Sequence, residues 1–505
     1  MGTLDAKQQV VLDIAVQRER ECKGGVLYLK CGFGKTWVAA TLCRTRPVAL
    51  PTLIVCEKAS VMHWCETIYK SHQGSSCTRP PFFVLDSCRP QPALNACEQE
   101  GSIVLTTYKI AASIFADAEN FPAWGRLIVD EAHILKNPKS QRHVQFKKIA
   151  GRVVKGHVWL LTATPMQNCI GDLLALSKIL GIAEIEPDRF IQEYLIEGGE
   201  TPGAAAEAAA EAAAEAAAEA AGGCELDVCK HVVEMPESSW EAELYDKVHA
   251  RYQKTSTAKS VYLHLESSLR CLQAATHPRL FYESLLRKGG NVDPEVVLEF
   301  ERSIRCKSAK VSFLVDDIKT RCAPEHSGVI VFCDWKNEIS LLSEELKGSG
   351  VDKCFVLDGS MDLCEREDTL RMFQGCVEDH ELDCGVAKIS GTACPPPCVL
   401  LVQIRCGSQG INLQHAASRV YMMRPPYNPT TEYQAICRVY RRGQTRPVTV
   451  TQLVTKGTVD EDCFQLQNAK LDIITDTLKN MTISDVMRKK DANNKNPRVY
   501  TWTRE

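Results

Sequence analysis

Gly24-Gly25-Val26-Leu27-Tyr28-Leu29-Lys30-Cys31-Gly32-Phe33-Gly34-Lys35-Thr36 is the stretch whose reading decides the fold. Its first half is an apolar run short enough for a buried strand. The residues after it, Trp37-Val38-Ala39-Ala40-Thr41-Leu42, have helix-forming character. The order is strand, glycine loop, helix. Gly32 and Gly34 let backbone N–H groups turn inward around phosphate oxygens, and the following helix adds the positive end of its dipole. In that setting Lys35 would hold the β- and γ-phosphates of a nucleotide and the Thr36 hydroxyl would ligate Mg²⁺. The loop lacks the first glycine of the full GxxxxGK[ST] pattern, so for this segment alone a plain Gly-Lys-Thr turn competes on even terms.

Three segments downstream supply what such a loop needs. Arg126-Leu127-Ile128-Val129-Asp130-Glu131-Ala132-His133 is an apolar strand ending in two carboxylates, and ligands bind at the carboxyl ends of parallel strands. Asp130 can hold Mg²⁺ through its water shell, and Glu131 can orient and deprotonate an attacking water. Thr162-Ala163-Thr164 follows another apolar run, where its hydroxyls can sense a γ-phosphate. By itself that segment reads equally as a threonine-rich turn. In Gln434 to Gln444, Arg438 and Arg441 stand three apart, a spacing that puts both on one face if the segment is helical. Two such guanidinium groups can stabilise charge on a transferring phosphoryl, although an isolated RxxR is more often a solvated basic face. All four segments together, in this order, predict a nucleoside triphosphatase that moves along nucleic acid.

The agreement then extends along the chain. LxxxQ at Leu4 to Gln8, LIVCEKASVMHW at Leu53 to Trp64, VLTTY at Val104 to Tyr108, VDEAHILKN at Val129 to Asn137 and LTATPMQN at Leu161 to Asn168 cover the first half. SLRCLQAATHP at Ser268 to Pro278, LDGSMDLCEREDTLRMF at Leu357 to Phe373, CGSQGINLQHA at Cys406 to Ala416 and YNPTTEYQAICRVYRRGQTRPV at Tyr427 to Val448 cover the second. On these motifs the chain resembles the Swi/Snf-type ATPases of helicase superfamily two, most of all their repair and transcription-termination branch and their compact viral members. It departs from the family pattern at Leu29-Lys30, Phe33, Ser408, Cys437 and Tyr440, none of which carries a catalytic role in this reading.

The resemblance implies an α/β chain of two RecA-like lobes with parallel sheets and helical insertions, and ATP in the cleft between the lobes. Lys35, Glu131, Arg438 and Arg441 are the implied catalytic set. Gln8, Gly32, Phe33, Gly34, Lys35, Thr36, Asp130, Gly410 and Gln434 are the implied ATP contacts, with Thr36 and Asp130 on Mg²⁺. DNA contacts are implied for Lys58, Trp64, Thr107, Lys136 and Asn137 in the first lobe, and for Asp358, Gly359, Arg366, Arg405 and Asn412 in the second. The implied activity is ATP-dependent translocation on double-stranded DNA, with nucleosomes or the transcription and repair machinery as further partners. An RNA-dependent ATPase of the same superfamily and a non-hydrolysing scaffold stay open as alternatives.

Composition agrees with this class. The 505 residues exceed a single core, and 45% hydrophobic with 24% charged residues are the proportions of a soluble globular protein. No apolar run reaches the roughly 18 residues of a membrane span, and MGTLDAKQQ lacks the form of a signal peptide, so the expectation is an intracellular protein without membrane contact. The family places it in the nucleus, the host's if the chain is viral. A net charge of −3 supplies no global field for DNA, so binding falls to a local basic surface. Lys136, Lys139, Arg142, Lys147, Lys148, Arg442 and Arg446 are the candidates.

The 24 cysteines are scattered, some in expected strands such as those holding Cys56, Cys333 and Cys406, and read as reduced thiols packed like small hydrophobes. Cys376, His380, Cys384, Cys394 and Cys398 cluster in an insertion without any CxxC, for which a surface loop with free thiols is favoured over zinc. Cys224 and Cys229 are a weaker pair. Ala204 to Ala221, with Glu at every fourth position between Pro202-Gly203 and Gly222-Gly223, reads as a semi-rigid helical spacer about 27 Å long at 1.5 Å per residue. The expected organisation is a first lobe over 1–199, a spacer over 200–223, a second lobe over 224–475 and an extension over 476–505.

Overall fold

The computed structural model describes residues 4–29, 32–73, 80–85, 95, 99–115, 123–182, 184–197, 225–237, 239–256, 261–287, 294–322, 327–390, 395–407, 411–441 and 443–478. The alanine-glutamate spacer, Cys224, Cys394, Ser408, Gly410 and Arg442 lie outside them. The chain divides into two compact units, one of the described residues through 197 together with 470–478, the other of residues 225–469.

The first unit is a seven-stranded sheet of β1 (Gly25–Tyr28), β2 (Thr52–Cys56), β3 (Phe82–Leu85), β4 (Ile103–Thr107), β5 (Arg126–Asp130), β6 (Val158–Thr162) and β7 (Leu195–Glu197). Its order is β3-β4-β2-β5-β6-β1-β7, every pair parallel. Among the described residues it is accompanied by α1 (Ala6–Arg20), α2 (Lys35–Thr45), α3 (Val61–Ser71), α4 (Tyr108–Phe115), α5 (Gln141–Ala150), α6 (Ile170–Ile179) and α7 (Pro187–Tyr194). The strands read as unbroken apolar runs because both faces are covered. Val55, Val104, Leu127, Val129 and Leu160 fill one layer, while their neighbours Ile54, Leu105, Ile128, Trp159 and Leu161 fill the other.

The second unit repeats the plan with six parallel strands, β8 (Leu226–Val233), β9 (Gly328–Cys333), β10 (Cys354–Leu357), β11 (Val399–Gln403), β12 (Ala417–Met422) and β13 (Val448–Thr455), in the order β10-β11-β9-β12-β13-β8. After its first strand come α8 (Trp240–Ser256), α9 (Val261–Thr276), α10 (Pro278–Leu286) and α11 (Pro294–Ile304), which share a separate core around Leu244, Tyr245, Cys271 and Ala274. Then come α12 (Ala309–Asp317), α13 (Lys336–Gly348), α14 (Leu363–Ser390), α15 (Ile404–Gly407), α16 (Pro429–Ile436) and α17 (Val459–Leu478). The molecule is an α/β protein of two RecA-like units with helical insertions.

Two expectations need correction. Cys376, His380 and Cys384 lie on α14, a helix of 28 residues, and not on a surface loop. Cys376 and Cys398 are joined in a disulfide, and Cys384 and His380 are buried, because this helix packs Phe373 and Val377 into the core of its unit. Cys56 and Cys333 are buried in strands as expected, but Cys406 is half-buried in the short turn of α15.

At the amino ends of the strands the first unit is fastened by a buried ion pair. Arg126, the first residue of β5, donates through Nε and Nη2 to the two oxygens of Glu19 at 2.6 Å each, and Trp159 Nε1 adds a hydrogen bond at 2.9 Å. Burial alone would raise the Glu19 pKa, but Arg126 and Trp159 outweigh it and hold the carboxyl below its ordinary value. A folded-state value lowered in this way contributes stability above the unfolded pKa and loses it as pH falls through the folded one. Glu19→Ala would leave Arg126 as an unpaired buried cation, a cost of about 3–5 kcal/mol. Thermal unfolding of the wild type and Glu19→Ala should differ by roughly 6 °C or more at neutral pH, and the gap should narrow toward pH 3.

Candidate nucleotide and nucleic-acid site

The carboxyl ends of β1, β5 and β6, which lie side by side, carry the phosphate loop, the paired carboxylates and the Thr162–Thr164 turn. Gly32 and Gly34 both take positive φ, 84° and 90°, a backbone that only glycine adopts without strain. At Gly34 a Cβ would also stand 2.7 Å from Gln8 Nε2. Gln8 is held by a capping box with Asp5 at the start of α1 and donates to the Phe33 carbonyl at 2.6 Å. The loop is therefore shaped from α1 as well as from its own glycines. Lys35 and Thr36 open α2, and Lys35 Nζ donates to the Leu29 carbonyl at 3.2 Å.

Asp130 is the last residue of β5 and is buried. Its Oδ2 accepts from Trp64 Nε1 at 2.9 Å and its Oδ1 from the Glu131 N–H at 3.0 Å, while the Tyr108 hydroxyl donates to its carbonyl at 2.5 Å. Burial and the adjacent Glu131 carboxylate push its pKa up, against the Trp64 hydrogen bond and the charge of Lys35. Glu131 takes the left-handed conformation, φ 53°, unusual for a non-glycine residue and characteristic of turns under functional constraint. That turn brings Oε2 to 3.2 Å from His133 Nδ1, which is 3.5 Å from Thr162 Oγ1. The carboxylate pair and the threonine turn are thus connected through one imidazole.

In the second unit α16 ends at Ile436, and Arg438 and Arg441 follow in turns, so they do not share a helical face as the spacing suggested. The segment is instead fixed by Gln444, buried, whose Nε2 donates to the carbonyls of Ala417 at 2.9 Å and Val439 at 3.2 Å, and by Gly443 at φ 96°. Arg441 Nη1 donates to Asn412 Oδ1. Gln434 is buried on α16. Gly410 lies outside the described residues.

The residues expected to face DNA follow the strand order of each sheet. Lys58 comes just after β2, Thr107 ends β4, and Lys136 and Asn137 follow β5, beside the carboxylates. Lys136 pairs with Gln167, and Asn137 Oδ1 accepts from the Lys139 N–H at 3.0 Å. Asp358 and Gly359 follow β10, where Arg366 Nη2 donates to the Asp358 carbonyl at 3.3 Å and Gly359 N–H to Gln403 Oε1 at 3.2 Å. Arg405 and Asn412 are exposed.

Trp64 is a correction. Its side chain is fully buried against Asp130, so it has no surface to offer a nucleic acid and acts as a support of the carboxylate. Among the proposed basic-surface residues, Arg446 is committed to Glu381 at 2.5 Å and the His415 carbonyl at 2.8 Å, and Arg142 lies over the Tyr108 ring. Trp64→Phe should keep the apolar packing and remove one hydrogen bond to a charged group, about 1.5–3 kcal/mol. We expect a fall of about tenfold or more in kcat, with a smaller change in KM for ATP and a drop in Tm of roughly 3 °C or more, as steady-state kinetics and thermal unfolding would show.

Thr36 and Asp130 offer one hydroxyl and one carboxylate. Among the described residues no group of three or more His, Cys, Asp or Glu side chains is arranged around a common ion. Two hard oxygen donors suit a Mg²⁺ that keeps waters and takes phosphate oxygens, not a cation in an all-protein cage.

A glycine loop at a helix N-terminus, an acidic pair at the end of the next strand but one in the same sheet and a second parallel-sheet unit define an ATPase of helicase type. Residues 7–197 match the family model of the SNF2-related domain, and residues 309–443 that of the helicase conserved C-terminal domain. Together these span more than half of the chain, which belongs to the SNF2-related helicase-type ATPases. Similar proteins include the SNF2 domain-containing protein ENL1 of Oryza sativa subsp. japonica, 24% identical over 88% of this chain and 48% of its own. The DNA repair protein RAD5A of Arabidopsis thaliana is 25% identical over 85% and 51%, and the helicase-like transcription factor of Mus musculus 23% over 93% and 54%. The chain spans about half the length of these curated relatives. A solved structure of the Sulfolobus solfataricus SWI2/SNF2 ATPase core in complex with dsDNA is 19% identical, covering 99% of this chain and 98% of that one, with a TM-score of 0.37.

Proposed function

We propose that this chain hydrolyses ATP at the Lys35–Asp130–Glu131 site and uses the cycle to move along double-stranded DNA. The observation that carries the reading is the convergence at the ends of β1, β5 and β6 of a glycine loop, a buried carboxylate beside a left-handed glutamate, and a threonine turn, with the carboxylates and the threonine turn held by Trp64, Tyr108 and His133. In this reading Lys35 neutralises the β- and γ-phosphates, Thr36 and Asp130 would hold Mg²⁺, and Glu131 orients the attacking water. Gln8, Gly410 and Gln434 are the further ATP contacts in this reading, Gln8 on the base. Mg²⁺ supplies charge neutralisation on the phosphate oxygens. Arg438 and Arg441 offset charge on the transferring phosphoryl.

Lys58, Thr107, Lys136 and Asn137 on one unit and Asp358, Gly359, Arg366, Arg405 and Asn412 on the other are proposed to track the DNA backbone, which predicts weak sequence preference and a steep salt dependence. Relatives named for DNA repair and for transcription suggest one of those settings, in the nucleus, with nucleosomes or bound protein complexes as the obstacles moved. Steady-state ATPase rates with no nucleic acid, duplex DNA, single-stranded DNA and RNA test the proposal. Strongest stimulation by duplex DNA supports it, stimulation by RNA alone moves the substrate to RNA, and no turnover with any of them favours a scaffold.

A further inference from the structure

We propose that Cys376 and Cys398 are a reversible thiol–disulfide couple that fastens α14 to the start of β11. The two are joined in a disulfide, whereas Cys43, Cys56, Cys271 and Cys333, buried in the cores of the two units, are not. The Cα atoms stand 6.5 Å apart, within the span a disulfide bridges without backbone movement. The other thiol on the helix, Cys384, is buried 3.6 Å from His380 Nε2 and belongs to a separate contact.

Both redox states have a place in the structure. The Cys398 sulfur lies 3.1 Å from the Cys376 carbonyl, so the reduced thiol has an acceptor at hand. Phe373 and Val377, on the same helix, pack into the core of the unit with Ile330, Leu400 and Val420, which holds α14 in position without the crosslink. Reduction therefore loosens one joint and leaves the unit folded.

Exposure decides the direction of exchange. Cys376 is half-buried and Cys398 is 1% exposed, so an incoming thiolate attacks the Cys376 sulfur and the S–S bond breaks with its electron pair on Cys398, which is then protonated. A second small thiolate attacks the mixed disulfide, releases Cys376 as the thiolate and leaves as the small-molecule disulfide. The protein disulfide is reduced and two small thiols are oxidised. A small-molecule disulfide such as oxidised glutathione drives the reverse.

The joint lies between two elements that reach the candidate DNA surface. α14 carries Arg366, and β11 ends at Gln403, whose side chain bridges the Gly359 N–H and the Asp334 carbonyl at 3.2 Å each. Closing this 22-residue separation should raise the melting temperature of the oxidised protein by roughly 6 °C or more.

The full chain is equilibrated over a series of reduced-to-oxidised glutathione ratios, alkylated, peptide-mapped and melted. Cys376 and Cys398 should leave the alkylatable pool together, with the midpoint following the square of reduced glutathione over oxidised glutathione, and the melting temperature should rise with them. Cys398→Ser and Cys376→Ser should each abolish the shift, the first leaving Cys376 as a glutathione mixed disulfide, while Cys384→Ser should retain it. Alkylation of both cysteines at every ratio overturns the proposal. So does loss of the shift in Cys384→Ser, or one zinc per chain that protects these cysteines.

Discussion

Glu131→Gln should lower the ATPase rate by about 10²–10⁴-fold while ATP still binds. The amide keeps the size of the carboxylate and its place in the left-handed turn at φ 53°, but it cannot accept the proton of the attacking water. The His133 contact at 3.2 Å can persist through the amide oxygen, so the fold is preserved and the melting temperature should stay within about 2 °C of wild type. Binding of a fluorescent ATP analogue alongside steady-state turnover separates the two effects. A variant that neither binds nor turns over would point to damage of the phosphate loop, and one that turns over normally would remove Glu131 from the chemistry.

Arg438→Ala is the second large effect, on the order of 10³ to 10⁵ in turnover if its guanidinium offsets the phosphoryl charge. Lysine should not rescue it, because a point charge on a flexible stem lacks the planar fork. Arg441→Ala should differ in kind. That side chain already bonds to Asn412, so its loss should also weaken stimulation by DNA, and Asn412→Ala should reproduce only this second part. Rates at saturating ATP, with and without duplex DNA, distinguish the two arginines. Equal losses without DNA, and unchanged stimulation in both, would contradict the division of roles.

The strands that position the site were legible because each is a short apolar run ending in a residue with chemistry to do. Val26 to Tyr28, Leu127 to Asp130 and Trp159 to Thr162 all lie in strands, and the helix after the loop begins at Lys35. The supports of the site were not legible. Trp64 and Asp130 are 66 positions apart, Glu19 and Arg126 are 107, and nothing local in either segment announces its partner. Trp64 was misplaced for that reason, since the resemblance implied a DNA contact for its segment and nothing in the segment shows that the indole is spent on a buried acceptor.

The arginine segment misled in another way. Three-residue spacing fits a helix, but Gln444, buried and bonded to two carbonyls, holds the chain in turns that local propensity does not encode. The cysteine insertion was read as a surface loop because its thiols lack any CxxC spacing, a signal that bears on metal binding and not on the backbone between them. Phe373 and Val377, placed one turn apart on a face that meets β9, β11 and β12, keep it helical.

The central claim is that ATP turnover is converted into movement along duplex DNA. The most direct measurement is displacement of a third strand from a triplex placed ahead of the protein on linear duplex DNA. The account predicts ATP-dependent release by the wild type, none with Glu131→Gln, and no separation of the duplex itself. ATP hydrolysis stimulated by duplex DNA without any release of the third strand would contradict it.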